Sequence, residues 1–299
     1  MNNLSVLCLA VAGLSACNGS NSKSSETANA SSRSNAAEKP NIVIILTDDQ
    51  GYGDMKCYGN SRLQTPNLDQ LAAEGIRFTN FYAGAAASTP SRAALLTGRY
   101  AERAGLQGVV DDLSVNGLES DEFTLADYLK QNNYATGIFG KWHLGCLPEH
   151  LPLRHGFNEF FGLPYSNDMW PFHPQPGHPY RALPLYDNER VVEYNPTVNH
   201  MTTRITERAT AFIDKHKNEP FLLYVPYTQP HVPLGVSDKF KGKSGEGLYA
   251  DVIMEIDWSV GEIMKTLKEN GLDDHTLVLF TSDNGPWLSY GNHGGSTGG

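Results

Sequence analysis

The stretch NIVIILTDDQ, residues 41–50, decides the fold class of this chain. A short, unbroken apolar run rich in isoleucine and valine is typical of a strand that is buried on both faces of a parallel sheet. Two acidic residues, Asp48 and Asp49, follow the run directly. Ligands of open α/β sheets bind beyond the carboxyl ends of the strands. The stretch therefore predicts a parallel sheet with a polar site at that edge.

Helical and strand-like segments alternate along the rest of the chain. This alternation predicts an α/β fold in which helices cover both faces of a mostly parallel central sheet. Capping residues and periodic apolar positions predict helices at 65–75, from about 124, at 202–216 and within 247–270. Apolar runs predict strands at 41–47, 76–82, 221–227 and 276–285, and one that leads into Lys141.

Polar and charged residues recur where these predicted strands end. Because the carboxyl ends of parallel strands share one edge of a sheet, we expect the residues to lie together. Their oxygen ligands suit calcium or magnesium better than zinc, and their cations and imidazoles suit an oxyanion with a leaving alkoxide. The residues are Asp48, Asp49, Lys141, His143, His231, Asp283 and Asn284.

The stretch AASTPSRAALLTGRY, residues 86–100, predicts a short helix. Proline is favoured at the first helical position, the hydroxyls of Ser88 and Thr89 can cap the helix, and Gly98 can end it. The amino terminus of a helix attracts anions, and Arg92 adds a cation one turn into it. An ordinary capped helix explains the stretch equally well if it is taken alone.

Composition limits the classes of function. The chain has 299 residues, 40% of them hydrophobic, which is typical of a globular protein. Its net charge of -10 argues against nucleic acid as a partner. Of the four cysteines, only Cys57 and Cys146 lie beyond the amino-terminal segment, and we expect them to be unpaired.

The amino-terminal segment is typical of an exported protein. Residues 1–17 form an apolar export signal, and LSAC at its end resembles a bacterial lipobox, which would make Cys17 the lipidated first residue. A plain signal cleaved near Ala16 is the alternative. Residues 18–39 are predicted to be a disordered tether. We therefore expect residues 40–299 to be a folded domain in the bacterial periplasm or at the cell surface, anchored to a membrane by lipid.

The segment 164–196 is rich in proline and aromatic residues. It predicts a surface insertion with a small hairpin near Asp187 and Asn188. Trp170, with Phe172 and Tyr180, is a candidate for stacking on sugar rings if the protein acts on carbohydrate. A long connection without a binding role is the alternative.

Several of these stretches together resemble the type I sulfatases of the alkaline phosphatase superfamily. STPSRAALLTG is similar to the sulfatase signature, and NIVIILTDDQGYGD, TPNLDQLAAEGIRF, GIFGKWHLG, QPH and FTSDNGP follow in the family's order. The resemblance covers nearly all of residues 40–285. Its first signature residue is serine, as in the bacterial branch whose serine is oxidised to formylglycine (3-oxoalanine) by a separate maturation enzyme.

The resemblance implies a role for each site residue. Ser88 would be the formylglycine precursor, whose hydrate attacks the sulfur of a sulfated oligo- or polysaccharide and touches a calcium ion. The calcium ligands would be Asp48, Asp49, Asp283 and Asn284. Arg92, Lys141 and His143 would hold the hydrate and the sulfate, and His231 would protonate the leaving alcohol. Ser166 matches a position that reaches the sulfate in some members.

One departure from the family pattern concerns the end of the chain. The family places a second lysine, an EGG motif and a smaller subdomain after the Asp–Asn pair, whereas this chain ends in YGNHGGSTGG. We therefore expect a catalytic domain that lacks its carboxyl-terminal subdomain. Two other functions remain open: a phosphoesterase that uses unmodified Ser88, and a non-catalytic surface lipoprotein that binds sulfated glycans.

Overall fold

A seven-stranded sheet forms the centre of the fold in the computed structural model, which describes residues 39–173 and 180–288. The order of the strands across the sheet is β5-β4-β3-β2-β6-β1-β7. Their bounds are Asn41–Thr47 for β1, Ala135–Lys141 for β2, Glu159–Leu163 for β3, Pro184–Asp187 for β4, Arg190–Tyr194 for β5, Phe221–Pro226 for β6 and Thr276–Ser282 for β7.

The sheet is mostly parallel, as the sequence predicts. Strands β3, β2, β6, β1 and β7 pair in parallel, while β4 and β5 add an antiparallel hairpin at one edge. In β1, Val43 and Ile45 face one apolar cluster, and Ile44 and Leu46 face another. Both faces of β1 are therefore buried, which explains its unbroken apolar run.

Five helices cover the two faces. The cluster around Val43 and Ile45 is completed by α1 (Pro66–Glu74), α4 (Met201–His216) and α5 (Leu248–Glu269). The cluster around Ile44 and Leu46 is completed by α2 (Ser88–Thr97) and α3 (Leu125–Gln131). The prediction of a sheet sandwiched between helices is confirmed.

The predicted strand at 76–82 is wrong. These residues form no strand, and Ile76 and Tyr82 are 82% and 83% exposed. The backbone carbonyl of Phe78 accepts a hydrogen bond from the Tyr58 hydroxyl, and the side chain of Arg77 binds the carbonyl of Cys57. Within the described ranges no other strand flanks this segment, so its backbone has no neighbouring strand to pair with.

The predicted hairpin near Asp187 and Asn188 is confirmed, but it is not a detached surface insertion. Strand β4 pairs with β3, and Leu183 and Leu185 are buried in the core. Asn188 adopts φ 56°, a left-handed conformation that asparagine tolerates in turns. The hairpin thus extends the main sheet, because its inward leucines need the same apolar layer.

The sequence predicts that helix α2 begins at Pro90, but it begins two residues earlier, at Ser88. Ser88 is its first residue and Ala87 its N-cap, and neither hydroxyl caps the helix. Thr89 instead donates its hydroxyl to the carbonyl of His143 and accepts the N–H of Val110. Its hydroxyl ties the helix to a neighbouring loop, which sequence periodicity does not reveal.

Some predictions concern residues outside the described ranges. The export signal, Cys17 and most of the tether lie in 1–38, and the glycine-rich end lies in 289–299. Within the described ranges, Cys57 and Cys146 are unpaired, as expected. In the same ranges no helix has the length and apolarity that crossing a membrane requires.

A buried tryptophan fixes the loop that follows β2. Trp142 has no exposed surface, and its indole N–H donates to the carbonyl of His150 at 2.8 Å. One face of its ring stacks on His155, with the ring centroids 5.7 Å apart. Lys141 and His143, on either side of Trp142, are thereby held in place.

We predict that His155 makes the fold sensitive to acid. Burial lowers the pKa of His155 to about 4, whereas an unfolded histidine has a pKa of about 6.5. Between these values the unfolded chain binds the proton more tightly, so the free energy of unfolding should fall by up to about 3 kcal/mol as the pH drops from 6.5 to 4.

Urea denaturation over this pH range checks the prediction. His155→Phe keeps an aromatic ring on Trp142 and should flatten the decline, while His200→Phe, at an exposed position, should leave it as in the wild type. An equal decline in all three proteins would show that His155 is not the responsible group.

Candidate active site

The carboxyl ends of four adjacent strands, β2, β6, β1 and β7, together with the first turns of α2 and the loop after β3, bring ten of the predicted site residues together. They border a cavity of about 350 Å³. Six of the predicted residues line it: Asp49, Ser88, His143, Ser166, His231 and Asn284. The other four, Asp48, Arg92, Lys141 and Asp283, are at most 1% exposed and bind to one another and to the lining residues.

Three carboxylates form the candidate metal centre. Asp48, Asp49 and Asp283 each offer an oxygen, and these oxygens lie within 4.8 Å of one another. Burial and the negative charge of Asp48 raise the pKa of Asp49 to about 6. The three carboxylates therefore carry more negative charge than the neighbouring cations compensate. Asp49 also adopts φ 62°, a strained conformation for a residue other than glycine. Such a cluster suits a divalent cation.

Asn284 supports this assignment. Its amide nitrogen donates to Oδ1 of Asp49 at 2.6 Å, and its Oδ1 atom is buried with no hydrogen-bond partner in the described part of the chain. Three carboxylates and an amide make a donor set of oxygens only, which is the chemistry of a hard cation. The four residues predicted as metal ligands are thus together and fit such an ion.

Two buried cations bind the carboxylates. The Lys141 ammonium donates to Oδ2 of Asp48 at 2.6 Å. Arg92 donates to Oδ2 of Asp283 through Nε at 3.0 Å and Nη2 at 2.8 Å. Burial alone would raise the pKa of Asp48, but the charge of Lys141, together with His231 and Arg92, holds it well below its usual range. The ion pairs therefore keep Asp48 ionised.

Ser88 lies at the centre of these charges. Its hydroxyl donates to Oδ1 of Asp48 at 3.0 Å and accepts from the Lys141 ammonium at 3.3 Å. It is the first residue of α2, so the positive end of the helix dipole also faces it. The position combines a cation, a candidate metal centre and a helix terminus, which suits a nucleophile that attacks an anionic ester.

His143 is a neutral imidazole with one nitrogen bound. Burial and the charges of Lys141 and Arg92 lower its pKa well below the usual range. Nε2 lies 3.0 Å from the carbonyl of Val110, which assigns the proton to that nitrogen. Nδ1 is buried and has no partner in the described ranges. Its lone pair is available to accept a proton, and its φ of 61° adds strain to the site.

His231 contacts the candidate metal centre at Asp49. Its Nε2 is 3.4 Å from Oδ2 of Asp49, and its Nδ1 is 2.5 Å from the carbonyl of Val232. The side-chain amide of Gln229 donates to the carbonyls of His231 and Pro233 and fixes the loop. His231 is therefore oriented by its backbone, with Nε2 directed at the site.

The loop after β3 supplies residues that sequence patterns identify only in part. Ser166 accepts a hydrogen bond from Lys141 at 3.2 Å, as its predicted position at the site requires. Asp168 and Met169 line the cavity, and neither was predicted. The sequence gives little indication of either residue, because the strand before them, β3, is only five residues long and lacks a distinctive motif.

The aromatic residues of segment 164–196 are less central. Trp170 is half-buried, packs against the core and meets Phe172 edge-on, and it is not among the residues that line the cavity. Tyr180 packs partly against the same core. Their stacking on sugar rings stays a prediction. Trp287, from the loop after β7, does line the cavity, and its ring lies 5.1 Å from that of His231.

Similarities to known proteins agree with this geometry. The family model described as Sulfatase matches residues 40–298. Arylsulfatase A from Bos taurus is 43% identical over 280 residues, which cover 88% of this chain and 55% of that protein. N-acetylgalactosamine-6-O-sulfatase from Bacteroides thetaiotaomicron is 36% identical over 85% of this chain and 60% of that protein.

A solved structure gives the same result in three dimensions. The crystal structure of Ps i-CgsB in complex with k-i-k-neocarrahexaose is 34% identical, with a TM-score of 0.74 over 87% of this chain and 61% of that chain. This chain spans a little over half the length of the curated relatives described above.

We predict that the buried Arg92 pair stabilises the fold far more than a surface pair. Arg92→Ala leaves Asp283 buried without its cation and removes one of the two cations that contact Asp48, so it should lower the free energy of unfolding by about 3–5 kcal/mol. Arg99→Ala removes a pair with Glu122 in which Arg99 is 46% exposed, and should cost about 1 kcal/mol or less. Urea denaturation measures both, and equal costs would contradict the prediction.

Proposed function

Because the chain belongs to the sulfatase family, of the alkaline phosphatase superfamily, we propose that the complete protein hydrolyses sulfate esters of a carbohydrate through residue 88. The observation that carries this proposal is the position of Ser88, which contacts Asp48 and Lys141 at the start of α2 and lines the cavity. No other serine or cysteine among the described residues combines contacts to a predicted metal ligand and a buried lysine with a place in the cavity wall.

Ser88 would become formylglycine before it acts. Its run Ser-Thr-Pro-Ser-Arg is the signature that a maturation enzyme would recognise, and this enzyme would remove two hydrogens from the Ser88 side chain. The hydrated aldehyde supplies two hydroxyls, one to accept the sulfate and one whose deprotonation releases it. A serine has only one hydroxyl and would remain sulfated.

Asp48, Asp49, Asp283 and Asn284 would hold a calcium ion. The bound ion would withdraw negative charge from the sulfate oxygens. The unpaired Oδ1 of Asn284 and the raised pKa of Asp49 support this fit. A bound cation would give the Asn284 oxygen a partner and would compensate the negative charge that raises the pKa of Asp49. Ser88 lies within hydrogen-bonding distance of Asp48, so the nucleophile and the ion would share that carboxylate.

The chain's own residues would position the sulfate and move protons. The Lys141 ammonium lies between Ser88 and Ser166 and would bind a sulfate oxygen. His231 would donate a proton from Nε2 to the leaving alcohol, which its orientation permits. The free Nδ1 of His143 would take the proton from the second hydroxyl of residue 88.

Carbohydrate is the proposed substrate class. One relative is named as an N-acetylgalactosamine-6-O-sulfatase, and one similar structure holds a neocarrahexaose. The apolar side chains of Val109, Met169 and Trp287 in the cavity wall provide surface for a sugar ring. Export through residues 1–17 and a lipid on Cys17 would place the enzyme outside the cytoplasm, where polysaccharides are met.

We predict that Ser88 is converted to an aldehyde when the protein is coexpressed with its maturation enzyme. The peptide that contains Ser88 should lose two hydrogens in mass spectrometry and react with a hydrazide probe. Ser88→Ala should abolish turnover of 4-nitrophenyl sulfate, while Ser114→Ala, outside the cavity, should not. An active preparation with only unmodified serine would contradict the formylglycine mechanism and favour a phosphoesterase-like one.

We predict that calcium stabilises the fold through the carboxylate cluster. Calcium at about 100 times its dissociation constant should add about 2.7 kcal/mol to the free energy of unfolding, and a chelator should remove it. Asp49→Asn should weaken this response. In the chelator the variant should be at least as stable as the wild type, because it relieves repulsion with Asp48 and Asp283.

Thermal unfolding with calcium, magnesium or chelator measures these effects. Asp251→Asn is the matched control, since its carboxylate accepts hydrogen bonds from Gly242 and Ser244 far from the cluster in the sequence. An unchanged calcium response in Asp49→Asn would remove Asp49 from the metal site.

A further inference from the structure

A carboxylate that the proposed chemistry does not use lies in the cavity wall. Asp168 is 8% exposed, and its Oδ1 is buried without a hydrogen-bond partner in the described part of the chain. Its Oδ2 lies 4.0 Å from Nε2 of His173, beyond hydrogen-bonding distance. A buried carboxylate oxygen without a donor is costly to the fold, and because Asp168 lies in the cavity wall, a ligand in the cavity can satisfy it.

The position of Asp168 is fixed by its neighbours. The backbone N–H of Met169 donates to the carbonyl of Ser166 at 3.1 Å and closes a tight turn around Asp168. The side-chain amide of Asn167, fully buried, lies 3.4 Å from the carbonyl of Val232, beside His231. The turn therefore places Asp168 two residues after Ser166, which is assigned to the sulfate. Its loop meets the segment of His231, which is assigned to the leaving alcohol.

We propose that Asp168 determines substrate specificity by accepting hydrogen bonds from free hydroxyls of the sugar that carries the sulfate. An ionised carboxylate only accepts hydrogen bonds, so a hydroxyl suits it and a second sulfate or a uronate carboxylate is repelled. The substrate class is then a sugar residue that carries one sulfate, no other charge and a hydroxyl near the sulfated carbon. This inference rests on the proposed sulfatase function.

The remaining walls agree with such a ligand. Val109 and Trp287 are 50% and 37% exposed, so they lie at the mouth of the cavity and present apolar surface there. A sugar ring can pack its C–H face on such surfaces while its hydroxyls reach a polar group. Among the described lining residues, Asp168 and Asp49 are the two carboxylates, and Asp49 belongs to the metal centre.

Asp168→Asn tests the proposal in the complete, matured enzyme. The variant keeps the shape of the side chain and removes its charge. We compare kcat/KM for the best substrate in a panel of monosulfated galactose, N-acetylgalactosamine and N-acetylglucosamine with that for 4-nitrophenyl sulfate, which has no hydroxyl. The sugar-to-aryl ratio should fall by about tenfold or more, because a site built around a hydroxyl loses that discrimination.

Asp112→Asn is the matched control. Asp112 is also a buried carboxylate with an unpaired Oδ1, it accepts the N–H of Arg181, and it does not line the cavity. In the Asp112→Asn variant, the ratio of kcat/KM for the sugar to kcat/KM for 4-nitrophenyl sulfate should equal that of the wild type. An equal loss on both substrates in Asp168→Asn, or hydrolysis of the aryl sulfate but of none of the sugars, would overturn the proposal.

Binding of the desulfated sugar gives a readout that does not need turnover. Ligand-detected NMR should show that the neutral sugar binds the wild type at least about tenfold more tightly than Asp168→Asn, and equal binding would overturn the proposal. If matured protein hydrolyses neither 4-nitrophenyl sulfate nor any sulfated sugar of the panel, the proposed function fails. The sugar-binding comparison still decides the role of Asp168 in that case.

Discussion

The buried ion network of Asp48, Asp283, Arg92 and Lys141 is the constraint on which the rest of the structure depends. Its members come from the ends of β1, β7 and β2 and from the first turns of α2, and each is at most 1% exposed. An uncompensated buried charge costs several kcal/mol. Each ion pair forms only when its two elements dock, β1 with β2 for one pair and β7 with α2 for the other, and the contact of Arg92 with Asp48 links the two pairs. Assembly of the sheet is therefore coupled to assembly of the site.

Among the described residues, the network leaves Asp49 without a lysine or arginine partner and leaves several polar atoms without any protein partner. Asp49 is the third carboxylate of a cluster in which the two buried cations pair with Asp48 and Asp283. Burial and the negative charge of these neighbours raise its pKa. Among the described residues, Nδ1 of His143, Oδ1 of Asn284 and Oδ1 of Asp168 have no partner and belong to residues that line one cavity. We interpret these atoms as contacts for a metal ion and a substrate, because all three residues that carry them line the cavity, where a ligand can reach them. The left-handed backbone conformations of Asp49 and His143 add conformational strain at this site.

The sheet and most of the site could be predicted from sequence, and the reasons are local. The apolar runs of β1 and β6 indicate that these strands are buried on both faces, and the polar residues after them mark where the strands end. The Thr89 hydroxyl could not be assigned correctly, because its partner is the carbonyl of His143, 54 positions along the chain. Residues 76–82 have the apolar and aromatic residues typical of a strand, but a strand also requires a neighbour. Asp168 follows a short strand without a motif, and its place in the cavity depends on how Asn167 meets the loop of His231.

The central claim is that this edge of the sheet transfers sulfate to residue 88, and one measurement tests it most directly. Protein that retains the unmodified Ser88 is incubated with 4-nitrophenyl sulfate, and the released nitrophenol and the intact mass are recorded. The account predicts that release stops at one equivalent or less and that the retained sulfate maps to Ser88, because serine lacks the second hydroxyl that expels it. Continued turnover by the serine form, or a sulfate retained on another residue, would contradict the account.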